Sequence, residues 1–232
     1  MMPRRLFLRH CVRFGLSAAL AAGLGPGFGA DALAATPEQV RDWFRAVQMN
    51  DAGTVRTLLR VVDPNQLSPV GGEPALVMAA REGAMNVMTV LLAHPGIAVD
   101  APAMNGNTAL MMAAYKRNAP AAEALLAKGA AADRPGWTAL HYAAASGDND
   151  IARLLLDHGA RVDAVSPPAS GAYTPLMMAA REGHEDSARF LLEHGANPAL
   201  RNSEGLAAAE IAERADHKAI AAAIRARLKT GR

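Results

Sequence analysis

Three histidines at equivalent places in the sequence are the first candidates for metal chemistry. His94, His158 and His194 each follow a pair of leucines by two residues, which puts them at one position of a repeated helical pattern. Neighbouring helices lie about 10 Å apart and metal–nitrogen bonds are about 2 Å long, so histidines in successive layers cannot share one ion. We interpret them as residues near helix C-termini, where an imidazole interacts favourably with the helix dipole.

The methionines are a second possible source of metal ligands. The sequence has 11 of them, and thioether sulfur is a ligand for Cu(I). Most, such as Met88, Met111 and Met177, lie at the spacing of a helix core, where the flexible methionine side chain fills gaps. We therefore predict core packing, and keep a metal site of Met and His as the less favoured hypothesis.

Catalytic motifs are absent from the sequence. It contains no glycine-rich phosphate loop, no nucleophile elbow and no H-E-x-x-H zinc motif. Glu82, Glu182 and Glu193 recur as exposed helix positions without a partner base. The sequence predicts no catalytic residue, no cofactor and no metal ion.

The composition narrows the class further. The chain has 232 residues, a net charge of +2, 51% hydrophobic and only 4% aromatic residues. Its single cysteine excludes a disulfide framework and a thiolate zinc site. The near balance of charges argues against a nucleic-acid-binding protein, which needs a clustered basic surface.

The first 34 residues have the three-part layout of a secretory signal. Four arginines between Arg4 and Arg13 precede a short apolar run, Leu16 to Leu24, and Ala32-Leu33-Ala34 gives the small-residue pattern of a cleavage site. The apolar run is too short to span a membrane, which takes about 20 residues. We predict a signal peptide over 1–34, cleaved after Ala34, and a mature domain over 35–232.

The stretch from Arg4 to Arg9 resembles the twin-arginine export signal R-R-x-F-L-K. Phe7 and Leu8 are in register, and Arg9 stands in the place of the lysine. The resemblance implies export after folding to a bacterial periplasm. A general secretory signal with an arginine-rich start is the competing interpretation.

The remaining chain repeats one pattern every 30 to 36 residues. Each unit opens with a tripeptide such as Thr138-Ala139-Leu140, continues through an alanine pair and a leucine pair, and closes at a glycine. A Thr or Pro suits a helix N-terminus, and the closing glycine suits a left-handed C-cap. Each unit therefore reads as helix–turn–helix, and because one unit cannot bury its own apolar face, the units must stack. The units begin at Pro74, Thr108, Thr138, Thr174 and Ala207.

These units resemble ankyrin repeats, whose signature is T-P-L-H-x-A. The best match runs from Thr138 through His141 to Ala144, and the resemblance covers residues 37 to 228. It implies an all-α ankyrin-repeat solenoid of about six stacked helix–turn–helix units, with capping repeats at both ends. Val77, Met111 and Met177 replace the signature histidine, so we expect its side-chain network to be mostly absent.

The resemblance also implies where a partner binds, at loop tips and at the groove positions that follow each alanine pair. Tyr and Trp are typical anchors of interfaces, and Trp137 and Tyr173 fall at tips, which we expect to lie outside the stacked core. The alternative interpretation is that these loop aromatics fold back onto the stack. The predicted partner-binding residues are Glu73, Arg81, Glu82, Asn105, Asn107, Tyr115, Lys116, Trp137, Ser146, Ser170, Tyr173, Arg181 and Glu182.

The sequence thus favours a non-enzymatic protein–protein interaction module in the periplasm. We expect a monomer that binds a protein partner, with no nucleic acid and no membrane attachment once the signal is removed. Two narrower versions differ only in the partner: an accessory or protective factor for an exported oxidative-stress enzyme, and an immunity protein against an exported toxin. The metal-binding hypothesis is the alternative from another class.

Overall fold

The computed structural model describes residues 35–230, which form twelve α-helices and one 3₁₀ turn at Pro168–Ser170. The predicted signal peptide lies outside the described residues. None of the helices in the described range is both long and apolar enough to cross a membrane. The helices are α1 (Pro37–Gln48), α2 (Ala52–Leu58), α3 (Ala75–Glu82), α4 (Met85–Ala93), α5 (Ala109–Tyr115), α6 (Ala119–Ala127), α7 (Ala139–Ser146), α8 (Asn149–Asp157), α9 (Pro175–Glu182), α10 (Glu185–Glu193), α11 (Ala208–Arg214) and α12 (Lys218–Thr230).

Consecutive helices pack as pairs, from α1 with α2 to α11 with α12. The odd-numbered helices pack side by side in an inner layer, and the even-numbered helices form an outer layer behind them. Six pairs in one row confirm the predicted solenoid of about six helix–turn–helix units. Between residues 35 and 230, β-pairing is limited to two isolated bridges, Leu67 with Pro74 and Arg201 with Ala207.

Alanine side chains line the contacts between inner helices, and leucine side chains fill the core between the two layers. The alanine pairs of the inner helices, such as Ala79-Ala80 and Ala143-Ala144, are buried and let these helices approach closely. Leu91, Leu125 and Leu155 are fully buried between the layers. The first unit has no such alanine pair, and Trp43 and Phe44 fill the core there, as expected for a capping repeat.

Side chains of one unit also hold the backbone of the next. Asn65 accepts a hydrogen bond from the Ala98 amide through Oδ1 (2.8 Å). Asp163 accepts one from the Asn197 amide through Oδ1 (2.9 Å). Each bond joins residues about one repeat apart, so the stack is tied by polar contacts as well as by its apolar core.

The threonines that precede the inner helices show how this chain modifies the signature. The Thr138 amide donates to His141 Nδ1 at 3.2 Å, and His141 Nε2 lies 3.0 Å from the Tyr173 carbonyl of the next unit. Because Nδ1 accepts, Nε2 bears the proton and donates to that carbonyl. In the units with methionine, Met111 Sδ and Met177 Sδ lie 3.5 and 3.4 Å from the threonine amides. The expected absence of the network is therefore wrong in part: sulfur keeps the local bond, and only the bond to the next unit is missing.

We predict that His141 makes the fold sensitive to acid. Burial lowers the pKa of this imidazole to about 4, from the ordinary value of 6.5. In the unfolded chain His141 takes up a proton near pH 6.5, and in the folded chain it does not. The stability that neutral His141 contributes is therefore fully present above pH 6.5 and is lost as the pH falls to about 4. Since one pKa unit corresponds to about 1.4 kcal/mol, the loss reaches up to about 3 kcal/mol.

Urea denaturation at pH 7.5 and pH 4.5 measures this loss, and the chain itself offers the control. The His141→Met variant has the same residue as the units with Met111 and Met177, which are buried at the equivalent position. The variant should lose less free energy of unfolding between the two pH values, because it lacks the imidazole. The carboxylates titrate in both proteins and contribute equally to the remaining loss. An equal loss in both would contradict the assignment to His141.

A second prediction concerns the approach of His184 to Gly147. Gly147 has φ +77°, and a β-carbon there would lie 2.6 Å from His184 Nδ1. The ring cannot easily move, because His184 Nε2 donates to the Ala145 carbonyl at 3.0 Å. Gly159 has φ +86° with open space around it. Both Gly→Ala changes should cost about 1–2 kcal/mol for the left-handed backbone, and Gly147→Ala about 1–2 kcal/mol more for overpacking. Equal urea midpoints for the two variants would show that the contact with His184 is unimportant.

Candidate protein-binding surface

One register position lines the inner layer on the side of the loop tips. It is the seventh residue after the residue that precedes each inner helix, and we call it the groove position. The residue immediately before that threonine, proline or alanine is called the tip position. In the second to sixth units the groove positions are Arg81, Tyr115, Ala145, Arg181 and Arg214, and the tip positions are Glu73, Asn107, Trp137, Tyr173 and Leu206.

Groove arginines bond to the loops of their own unit. Arg81 donates to both carboxylate oxygens of Glu73, at 3.2 Å from Nε and 2.9 Å from Nη2. Arg181 lies with its guanidinium carbon 5.1 Å from the centre of the Tyr173 ring. Glu82 and Glu182 pair with the neighbouring arginines at 2.8 and 3.0 Å. In the second and fifth units the predicted tip and groove residues are thus in contact with each other.

The centre of this surface is aromatic. Tyr115 is 40% exposed, and its ring meets that of Tyr142 edge-on at 6.2 Å between centroids. The Tyr142 hydroxyl donates to Asn107 Oδ1 at 2.6 Å. Trp137 packs edge-on against Tyr142 (6.3 Å) and His141 (5.1 Å). The exposed ring of Tyr115 therefore rests on the buried ring of Tyr142, which in turn contacts the half-buried Trp137.

The expectation that Trp137 and Tyr173 lie outside the stacked core is wrong. Both are half-buried and pack against the buried core. The indole of Trp137 packs over His141 and Tyr142 of its own unit. Tyr173 is held by its amide, which donates to Ser166 Oγ at 2.8 Å. Truncating either side chain would change folding stability as well as binding.

The other predicted residues differ in what they offer a partner. Asn105, Lys116 and Ser170 are exposed. Ser146 is half-buried, and its hydroxyl lies 3.0 Å from the Ala114 carbonyl and 3.1 Å from that of Ala143, so it is engaged within the stack. The structure does not test whether any of these residues binds a partner.

Several residues of the surface were missed by sequence reasoning. Val70 and Met104, each three residues before a tip position, are 85% and 82% exposed. Ala145 and Tyr142 were also missed, although the register that identifies Tyr115 identifies Ala145 too. Arg117 has a left-handed backbone (φ +56°) at the position that Gly83 and Gly147 occupy in their units. Its Nε lies 3.7 Å from Asp148 Oδ2.

The histidines and methionines that could bind metal are placed as the sequence indicates. His94, His158 and His194 are the C-cap residues of their helices, and the latter two have Nδ1 within 2.8 Å of a carbonyl of the same helix. Most methionines are buried, but Met49 and Met104 are exposed. Within residues 35–230, no group of three His, Cys, Asp or Glu side chains is close enough to hold an ion.

A single row of stacked helix pairs defines a helical repeat solenoid. The sequence model of ankyrin repeats matches in three copies, at residues 43–135, 97–166 and 131–202. Together these ranges include more than half of the chain, and the protein belongs to the ankyrin repeat family. Ankyrin repeats are generally protein–protein interaction modules and typically non-enzymatic scaffolds.

One curated relative is a human protein. The chain is 35% identical over 118 residues to the transient receptor potential cation channel subfamily A member 1 of Homo sapiens. The alignment covers 49% of this chain and 10% of the channel, so the chain matches only a small part of that protein. The similarity supports the repeat fold.

Proposed function

We propose that this protein is a non-enzymatic binding module of the bacterial periplasm that holds a protein partner in its concave groove and between its loop tips. The single observation that supports the proposal most is the contact between tip and groove residues. Glu73 with Arg81 and Tyr173 with Arg181 join a loop to an inner helix at both ends of the aromatic centre. A surface of this kind is rigid before the partner arrives, which lowers the entropy lost on binding.

Charge reversal in the groove tests where the partner binds. Glu82→Lys together with Glu182→Lys places like charges beside Arg81 and Arg181 and removes complementarity with the partner. We expect binding to weaken about tenfold or more, equivalent to about 1.4 kcal/mol. The measurement is affinity capture from a periplasmic extract, quantified by mass spectrometry against the unaltered protein.

The matched control has the same charge change on the outer helices. Glu123 and Glu193 are exposed on α6 and α10, so Glu123→Lys with Glu193→Lys alters the net charge equally and leaves the groove intact. A partner should be retained by the unaltered protein and by this control, and lost from the groove variant. If all three proteins retain the same set, the groove is not the binding surface.

Export is the part of the proposal that rests on residues 1–34. The arginine cluster, the apolar run and Ala32-Leu33-Ala34 support it, and the match to the twin-arginine pattern supports that route. Replacing Arg4 and Arg5 together by lysine should leave the uncleaved precursor in the cytoplasm, because this route reads the arginine pair itself. Cell fractionation with immunoblotting measures the distribution, and unchanged export would favour the general secretory route.

A further inference from the structure

A cavity lies between the helix–helix turns of the second and third units. In the fourth and fifth units, His184 and His217 from the following unit cover the left-handed glycine of the turn, with a ring atom 2.6 Å from where a β-carbon would lie. The residue at the histidine position behind Gly83 is Asn118, and its Nδ2 is 3.8 Å from the corresponding point. The shorter side chain leaves a cavity of about 470 Å³, lined by Arg81 and Glu82 of the second unit and by Lys116, Arg117, Asn118 and Pro120 of the third.

Two cations of the third unit distinguish this turn from the others. Lys116 stands where the second, fourth, fifth and sixth units have glutamate, serine, glutamate and alanine. Arg117 stands where those units have glycine or, in the sixth, aspartate. The turn between the fifth and sixth units repeats Arg-Glu-Gly of the second unit at 181–183 but has Ala215 and Asp216 in place of the two cations. The positive charge is therefore a property of this one cavity.

Most of that charge is available to a ligand. Arg81 is paired with Glu73 at 2.9 Å and with Glu82 at 2.8 Å. Lys116 is exposed and has no ion-pair partner within residues 35–230. The Arg117 side chain is 65% exposed, and its Nε lies 3.7 Å from Asp148 Oδ2, which is too far for a hydrogen bond. Three cations and one carboxylate line the cavity, and the two cations of the third unit lack a close carboxylate.

Folding does not explain the arginine at position 117. Its backbone is left-handed, with φ +56°, a conformation that costs free energy for any residue with a β-carbon. The equivalent residues of the first and last units, Asn50 and Asp216, have short polar side chains that tolerate this conformation, and the remaining units have glycine. The exposed Arg117 side chain does not contribute to the core. A strained position that packing does not require indicates a function for the side chain.

We infer that this cavity binds the phosphate group of a small molecule, held by Lys116 and Arg117 and bordered by Arg81. Guanidinium and ammonium groups are the side chains that bind phosphate in proteins, and the volume is in the range of small-molecule sites. The charge comes from side chains and not from the start of α6, because Asn118 Oδ1 already accepts from the Ala121 amide and Pro120 has no N–H. The inference is independent of the proposed function, since it needs no protein partner.

The experiment is isothermal titration calorimetry of the full chain with sodium pyrophosphate, inorganic phosphate and glycerol 3-phosphate, at an ionic strength kept constant with sodium chloride. We expect one site per chain for at least one of these probes. Their ranking distinguishes the sources of the phosphate group, which are a free phosphate, a diphosphate and a phosphate ester. Citrate is the comparison anion, because it has several charges without a phosphate group.

Variants copied from the other repeats separate binding from folding. Arg117→Gly and Lys116→Ser introduce the residues of the fourth unit, and each should weaken binding about tenfold through the loss of one charge-assisted contact. The melting temperature of Arg117→Gly should not fall, because glycine relieves the left-handed strain. Glu82→Gln removes the carboxylate that lines the cavity and should raise the affinity several-fold. The matched control is Lys128→Ser, which removes one exposed cation at the end of α6 and should leave binding unchanged.

Three results would overturn the inference. The first is the absence of binding heat for all three phosphate probes at millimolar concentration. The second is an equal affinity of the Lys116→Ser, Arg117→Gly and Lys128→Ser variants, which would show that the anion is attracted by the overall charge and not by this cavity. The third is binding of citrate as tight as that of the best phosphate probe, which would contradict the assignment to phosphate.

Discussion

Every part of this structure depends on one constraint, which is that no helix pair can bury its own apolar face. Each unit is completed by its neighbours, through apolar residues such as Leu125 and Leu155 and through bonds such as that from His141 Nε2 to the Tyr173 carbonyl. Stability therefore accumulates along the row, as in other repeat solenoids. The two ends need different residues, which is why Trp43 and Phe44 replace the alanine pair in the first unit.

The same constraint explains where the sequence is free to vary. Alanine and leucine positions face the neighbouring unit and are nearly invariant across the repeats of this chain, whereas the groove position is arginine, tyrosine or alanine. The groove position is thus the part of the repeat that differs most from one unit to the next, since it is less constrained by packing than the alanine and leucine positions.

The repeat pattern was sufficient to predict the helix pairs, their number and the capping units. It placed Arg81, Tyr115 and Arg181 at one register position, but it missed Ala145 at the same position of the fourth unit. The repeat pattern did not predict how deeply individual side chains are buried. Trp137 is half-buried because its ring packs over His141 and Tyr142, and the repeat pattern does not contain that contact. The hydrogen bond from the Thr174 amide to Met177 Sδ was not predicted either, since methionine at this position was interpreted as core packing.

The side chains of the proposed binding surface are also part of the folded stack. Trp137 and Tyr173 pack against the core, and Tyr142 contacts both Trp137 and the exposed ring of Tyr115. Arg81 and Arg181 already have partners within the chain, so little side-chain freedom remains to be lost when a second protein arrives. Under the proposed function a partner would not have to order this surface, and its affinity would depend mainly on how well its own side chains fit a shape that the repeats have fixed in advance.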